Sequence, residues 1–235
     1  MFLSKLGMVV LSVGLSALIG LYAFFGMKGG PEERRMITLP KPKQRSEVSV
    51  EESIARRRSI RTYAKSPLTL EEVSQLLWAA QGITHQGYGF RSAPSAGATY
   101  PLETYVVVSE GGVVGLDAGI YHYIPKEHKL ELTYGGDIHR DLMKAALGQS
   151  WVGSAPINIV FSAIYERTTR RYGDRGIRYV HMEAGHAAEN VYLQAVSLGL
   201  GTVVIGAFYD EEVREVLRLG GNESPLYIMP VGRRR

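Results

Sequence analysis

Apolar residues run without a charge from Leu6 to Met27, 22 positions in all. That is the length a bilayer's hydrocarbon core asks of a helix. Residues 1–27 therefore read as a transmembrane anchor, with a cleaved signal peptide as the rival because Lys5 precedes the run. Lys28, Arg34, Arg35, Lys41, Lys43 and Arg45 follow it, and the positive-inside rule then keeps the C-terminal body in the cytoplasm. Residues 28–48 are polar and include Pro31, Pro40 and Pro42, which predicts an extended linker. The folded body is expected at 49–235.

Within the body the pattern alternates between helical and strand periods. Ser49 with Glu52, and Thr69 with Glu72, have the spacing of capping boxes. The first opens a short helix that ends in an Arg cluster. The second opens a helix to about Gln81, with Val73, Leu76, Leu77 and Ala80 on one face and Gly82 closing it. Thr104–Ser109 and Pro156–Ile164 predict buried strands, and Ile120–Ile124 with Lys129–Thr133 a hairpin turning at Pro125–His128. Asp137–Leu147 reads as an amphipathic helix. Arg175–Leu198 has the longest helical period, with small residues Ala184, Gly185, Ala187 and Ala188 that admit a close neighbour. A strand at Thr202–Ala207, a helix capped by Asp210 to Leu219 and a strand at Leu226–Val231 complete the body. Interleaved helices and strands around a central hairpin predict an α+β fold, a mixed sheet flanked by helices.

Composition narrows the chemistry. The chain of 235 residues is 45% hydrophobic and has no cysteine, which excludes a disordered chain, a thiolate metal site and a cysteine nucleophile. Net charge is +4, and 19 of the 27 basic residues are Arg, whose planar fork suits phosphate or carboxylate. Phosphate-loop, G-x-G-x-x-G and G-x-S-x-G motifs are all missing. His181 and His186 stand five apart, about 140° around a helix, and cannot ligate one metal from one face.

Three segments carry candidate chemistry. Arg56-Arg-Arg-Ser-Ile-Arg61 puts several donors within a few residues, as a dianionic phosphate requires. Arg91 to Pro101 holds Pro94 and Pro101 seven apart with small residues between, a stiff loop whose backbone can approach a flat ligand. Gly199 to Phe208 includes Gly206 and Ala207, which free a strand end to present backbone N–H groups.

Together these segments resemble the nitroreductase superfamily of flavin enzymes, over nearly the whole body. The likeness rests on Arg57-x-Ser59-x-Arg61, on Pro94-Ser95-Ala96-Gly97-Ala98-Thr99-Tyr100-Pro101, and on Leu198-Gly-Leu-Gly201 followed by Val204-Ile205-Gly206. The second loop, with Arg170 to Tyr179 and Glu183-Ala-Gly-His186, looks most like the branch that oxidises azoline rings in peptide maturation. The resemblance implies FMN bound at the interface of a homodimer, and oxidoreduction between NAD(P)H and a small organic substrate by a ping-pong cycle.

By the same resemblance Arg57, Arg58, Ser59 and Arg61 hold the phosphate, and Arg233 or Arg234 closes it. Pro94, Ser95 and Ala96 pack on the isoalloxazine from the second subunit. Gly206 offers its N–H to flavin N5, while Val204 and Ile205 line one ring face. Ala98 stands where the family has Asn, so one polar contact is lost. Arg171-Tyr172 stands where azoline oxidation uses Lys-Tyr, and an Arg that keeps its proton is a poor base. That favours a general reductase over azoline oxidation and leaves Tyr172 as the candidate proton donor, with Tyr88 and Arg91 bordering the substrate slot. A membrane-tethered module binding anionic lipid or nucleic acid is the alternative of another class. It leaves the second and third segments without a purpose, so no nucleic-acid partner is expected.

Overall fold

A computed structural model describes residues 35–235; the expected anchor at 1–27 and the first part of the linker lie outside them. Among the described residues no helix is long and apolar enough to cross a membrane. In chain order the elements are β1 (Met36–Thr38), α1 (Val50–Arg56), α2 (Leu70–Gln81), β2 (Ile83–His85), β3 (Phe90–Arg91), β4 (Leu102–Val108), β5 (Gly119–Ile124) and β6 (Lys129–Gly135). Then come α3 (His139–Ala145), α4 (Ser150–Ser154), β7 (Ile157–Ala163), α5 (Glu166–Tyr172), α6 (Arg175–Ser197), β8 (Leu200–Thr202), α7 (Asp210–Leu217) and β9 (Ser224–Arg233).

Seven strands form one sheet in the order β1-β6-β5-β4-β7-β9-β8, and each strand pairing is antiparallel. The parallel component expected of a mixed sheet is confined to isolated bridges, Ser59 to Thr202 and Leu68 to Val113. Strand alternation divides the core in two. Val106, Val108, Ile157, Ile159, Phe161, Met229 and Val231 face α2 and α6. Tyr105, Val107, Val160 and Ile228 face α3, α4 and α7 through Leu142, Val152, Val213 and Leu217. Both faces are covered, which is why β4 and β7 read as continuous apolar runs.

The helix signals act through their hydrogen bonds. Thr69 Oγ1 accepts from Glu72 N–H at 3.2 Å and Glu72 Oε2 accepts from Thr69 N–H at 2.8 Å, a complete capping box. At α1 Ser49 accepts from Glu52 N–H at 3.1 Å. Asp210 is the first residue of α7 rather than its cap, which is Tyr209.

Two expected segments differ. The described part of the 28–48 linker is bound to the body: Met36–Thr38 pairs with β6, Leu39 is buried, and Gln75 bonds the backbone of Lys43 through both amide atoms. The strand expected at Thr202–Ala207 runs instead from Leu200 to Thr202. Beyond Thr202 the N–H of Val204 donates to the Tyr192 hydroxyl at 2.8 Å rather than to a strand, and pairing returns only at Ile205 with Ile228.

Candidate functional site

The first Arg-rich segment leaves α1 at Arg57 and crosses the edge of the sheet. Ser59 bridges Thr202, Ile60 N–H donates to Thr202 O at 2.9 Å, and Ala64 N–H donates to Arg233 O at 2.9 Å. Gly201 permits this approach, since a Cβ there would lie 2.7 Å from Ile60 Cγ2. Residues 57–61 are thereby laid beside the start of 202–206.

Tyr192, on the C-terminal half of α6, joins the two stretches. Its hydroxyl shares a 3.1 Å hydrogen bond with Ser59 Oγ and accepts the N–H of Val204. Arg57 lies with its guanidinium carbon 5.1 Å from the centre of the same ring, and its Nε is 4.0 Å from Glu189. Tyr192 gave no signal in the sequence beyond an apolar helix position.

The remaining cations diverge. Arg61 stacks on Trp151 at 5.6 Å. Arg58 folds back onto the carbonyls of Ala55 and Arg57, capping the end of α1. Arg233 Nη2 is bound to Glu72 Oε2 at 3.0 Å, and Arg234 Nε donates to Leu200 O at 3.0 Å. Neither C-terminal guanidinium is free in the way the expected phosphate site asks.

On the other side of the short strand, Ile205 is buried against Ile228, Val204 is half-buried, and Gly206 and Ala207 are exposed. A Cβ on Gly206 would meet only Tyr227, at 3.6 Å, an ordinary contact. The fold itself therefore has no need of glycine at 206.

The second loop is built differently. Ser95 Oγ accepts the N–H of Tyr100 at 2.9 Å, and a 3₁₀ turn at Ala96–Ala98 follows. Gly97, Ala98 and Tyr100 have φ of 59°, 54° and 46°, a conformation disfavoured wherever a Cβ is present. Neighbours impose it. Thr99 shares a 2.8 Å bond with Thr168, Arg171 Nη1 donates to Gly97 O at 3.3 Å, and Arg167 Nη1 donates to Tyr100 O at 3.1 Å. Gly97 is obligatory on two counts, its φ and the Tyr172 hydroxyl, which a Cβ would approach to 2.5 Å.

Tyr172 thus forms the wall behind this loop, packed edge-on against Tyr179 at 5.2 Å. Arg91 is drawn beneath the loop, where Nη1 donates to Gln81 Oε1 at 2.9 Å and the guanidinium stacks on Tyr100 at 4.6 Å. Tyr88 is 74% exposed and stacks on Phe90.

Within one chain, then, Arg57, Ser59 and 202–206 meet at Tyr192, while Pro94, Ser95 and Ala96 belong to a loop seated on α5 and α6. The same segment reaches α6 at Asn190, whose Nδ2 donates to Ser92 O at 3.4 Å, two residues from Tyr192.

The first group fits a flat ligand with a phosphate tail. Ser59 and Arg57 supply hydroxyl and guanidinium donors, Thr202 Oγ1 beside them is buried without a partner, and Gly206 leaves an open backbone edge four residues away.

Comparison with known proteins gives the chain its relatives. Residues 54–233 match the Nitroreductase family. A nitroreductase-like protein of Methanocaldococcus jannaschii is 54% identical over 188 residues, covering 80% of this chain and 92% of that one. The microcin B17-processing protein of Escherichia coli is 28% identical over 66% of this chain, which spans 58% of its length. An NAD(P)H-dependent FMN reductase of Bacillus subtilis is 27% identical over 76% of the chain and 61% of its own length. A solved nitroreductase-like structure from Ralstonia eutropha superposes with a TM-score of 0.75 at 33% identity, covering 88% of this chain and 92% of that one. The α+β fold is the one those proteins share.

Proposed function

The chain belongs to the nitroreductase family of FMN-dependent oxidoreductases, and on that premise we propose that it is a homodimeric NAD(P)H-dependent reductase of a small organic acceptor. The observation that carries the reading is the meeting of three groups at Tyr192: Ser59 and the Val204 N–H at its hydroxyl and Arg57 over its ring. When bound, FMN supplies hydride transfer at N5, first from a nicotinamide donor and then to the acceptor.

The chain's own residues bind and orient. Arg57 and Ser59 hold the phosphate, charge-assisted bonds of this kind being the strong ones, while Arg61 stays on Trp151. Gly206 presents its N–H to the ring edge and the half-buried Val204 lines one ring face, while Ile205, expected there from the sequence, stays in the core against Ile228. Pro94, Ser95 and Ala96 of the second subunit pack on the ring and narrow the slot to flat molecules. Arg58 and Arg233 stay with α1 and Glu72 and are left out of the phosphate set.

The Tyr172 hydroxyl is set against Gly97, at the wall of the slot, where it is placed to donate. Arg171 donates to the Gly97 carbonyl, and a guanidinium is a poor general base. It therefore cannot serve as the base of an azoline oxidation, which favours the reductase over that second reading. Purified full-length chain should be yellow, carry one FMN per subunit and turn over NAD(P)H with a quinone or nitroaromatic acceptor. Protein that stays colourless after addition of FMN would refute the reading.

A further inference from the structure

Tyr100 closes the loop at 94–100 in a backbone conformation that its sequence disfavours. Its φ is 46°, a region costly for a residue with a Cβ, and it precedes Pro101, which pushes its neighbour toward extended backbone. Strain of this kind persists only where the surroundings over-determine it. Here each polar group of the residue is held. The N–H donates to Ser95 Oγ at 2.9 Å, the hydroxyl accepts the Arg91 N–H at 3.3 Å, and the carbonyl accepts from Arg167 Nη1 at 3.1 Å.

The Arg167 bond ties the loop to the helix that follows β7. Ile164 N–H donates to Pro101 O at 2.9 Å, so α5 starts beside the exit of the loop. The Arg167 fork is divided: Nη1 takes the Tyr100 carbonyl, and Nη2 lies 2.5 Å from Oε1 of Glu103, at the start of β4. The other oxygen of Glu103 bonds His122 Nε2, on β5, at 2.7 Å. Burial pushes the Glu103 carboxyl up, but the contacts with His122 and Arg167 outweigh it and hold the group below its ordinary range. Arg91, beneath the loop, feels both Glu103 and Glu183 of α6. Glu183 is 2% exposed with its Oε1 unpartnered, whereas each oxygen of Glu103 has a partner.

We propose that Arg167 is a positioning residue for the substrate slot: aimed by Glu103 and His122, it holds the Tyr100 carbonyl and, through the bond from Tyr100 to Ser95, sets the surface that Pro94, Ser95 and Ala96 turn toward the ring of the facing subunit. This rests on the proposed flavin site and names the residue that shapes it from outside the loop. The same helix carries Thr168 on Thr99, Arg171 on the Gly97 carbonyl and Tyr172 behind Gly97. Anchoring α5 to β4 through Glu103 therefore fixes the loop and its wall together.

The test uses the full chain. NAD(P)H-driven turnover of a quinone is read as kcat/KM at saturating FMN, and amide exchange at Ala98 and Tyr100 is read on flavin-free protein. Arg167→Met should lower kcat/KM at least tenfold and speed exchange at both amides. The Arg167 side chain is 37% exposed, and an exposed ion pair adds little to stability, so Tm should move by no more than about 4 °C. Arg167→Lys keeps the charge but has no fork to divide, and should be as slow as Arg167→Met. Glu103→Leu should fall to the same level. Glu103→Gln keeps an oxygen for Arg167 and offers its amide to His122, and should stay within about threefold of wild type. The double variant Glu103→Leu with Arg167→Met should be no worse than the poorer single. Wild-type turnover in Arg167→Met or Arg167→Lys, unchanged exchange at Ala98 and Tyr100, a Glu103→Gln as slow as Glu103→Leu, or additive losses in the double variant would each overturn the proposal. The two levels separate cleanly. If wild type takes up no FMN, the flavin reading fails; if wild type is yellow and active and Arg167→Met matches it, only the role of Arg167 fails.

Discussion

Replacing Glu183 by glutamine should alter the pH dependence of folding stability, in the sense opposite to that of a salt-bridged carboxylate. The folded carboxyl is carried from its ordinary 4.5 to about 7, with burial as the dominant cause. In the unfolded chain it titrates near 4.5. Between these two values the folded protein holds a proton that the unfolded chain has released, so stability falls as pH rises through the window and levels off above it. The whole decline amounts to about 3 kcal/mol. Glutamine keeps the shape and cannot ionise. The variant should therefore match wild type at pH 4.5 and exceed it by about 3 kcal/mol at pH 8. For a domain of about 200 residues that is roughly 6–12 °C in Tm. Thermal or urea unfolding of flavin-free protein at pH 4.5, 6 and 8 reads the difference directly; bound flavin would add its own stabilisation and must be absent. A gap between variant and wild type that is the same at pH 4.5 and pH 8 would refute the reasoning.

The other expectations concern the flavin edge. Arg57→Ala should lose a charge-assisted phosphate contact of about 1.5–3 kcal/mol, roughly a 10- to 150-fold rise in FMN Kd by equilibrium dialysis; unchanged retention would count against the phosphate assignment. Tyr192→Phe removes the hydroxyl shared by Ser59 and the Val204 N–H, and should lower both stability and FMN affinity by about 1–2 kcal/mol; full affinity would show that the link is idle. The two glycines should part company. Gly201→Ala presses on Ile60 and should cost about 1–3 kcal/mol of stability, whereas Gly206→Ala meets ordinary contacts and should leave stability within about 0.5 kcal/mol while weakening FMN. Equal Tm losses in the two variants would contradict that contrast.

Much of the fold was legible because its signals are local. The Thr69 capping box and the apolar runs of β4 and β7 declare themselves within a dozen residues, and the period of α6 within its own 23. Strand β1 does not: three residues in a polar stretch gain meaning only from β6, more than ninety positions away. Strand β8 ends earlier than its apolar run predicts for a related reason, since the hydroxyl that diverts Val204 comes from a helix. Among site residues, Arg57, Ser59 and Val204–Gly206 were recognisable by pattern, and the structure brings them together. Arg58 and Arg233 share the same pattern, yet a helix end and Glu72 engage them. Glu183 could be named in sequence only as part of a resemblance, because the burial that gives it chemistry arises from the loop folded over it.

The sheet has a short strand at each margin. At one side β1 and the carbonyl of Arg35 cover β6 as far as Leu132; at the other, β8 is three residues long and is shielded by Ser59 and Ile60. Among the described residues neither margin offers a long unpaired template for strand addition, the usual route to uncontrolled association. The alanines of α6, Ala184, Ala187, Ala188 and Ala195, are spent on the chain's own core, so that helix lies close against its own subunit and turns Arg178, His181, His186 and Glu189 outward.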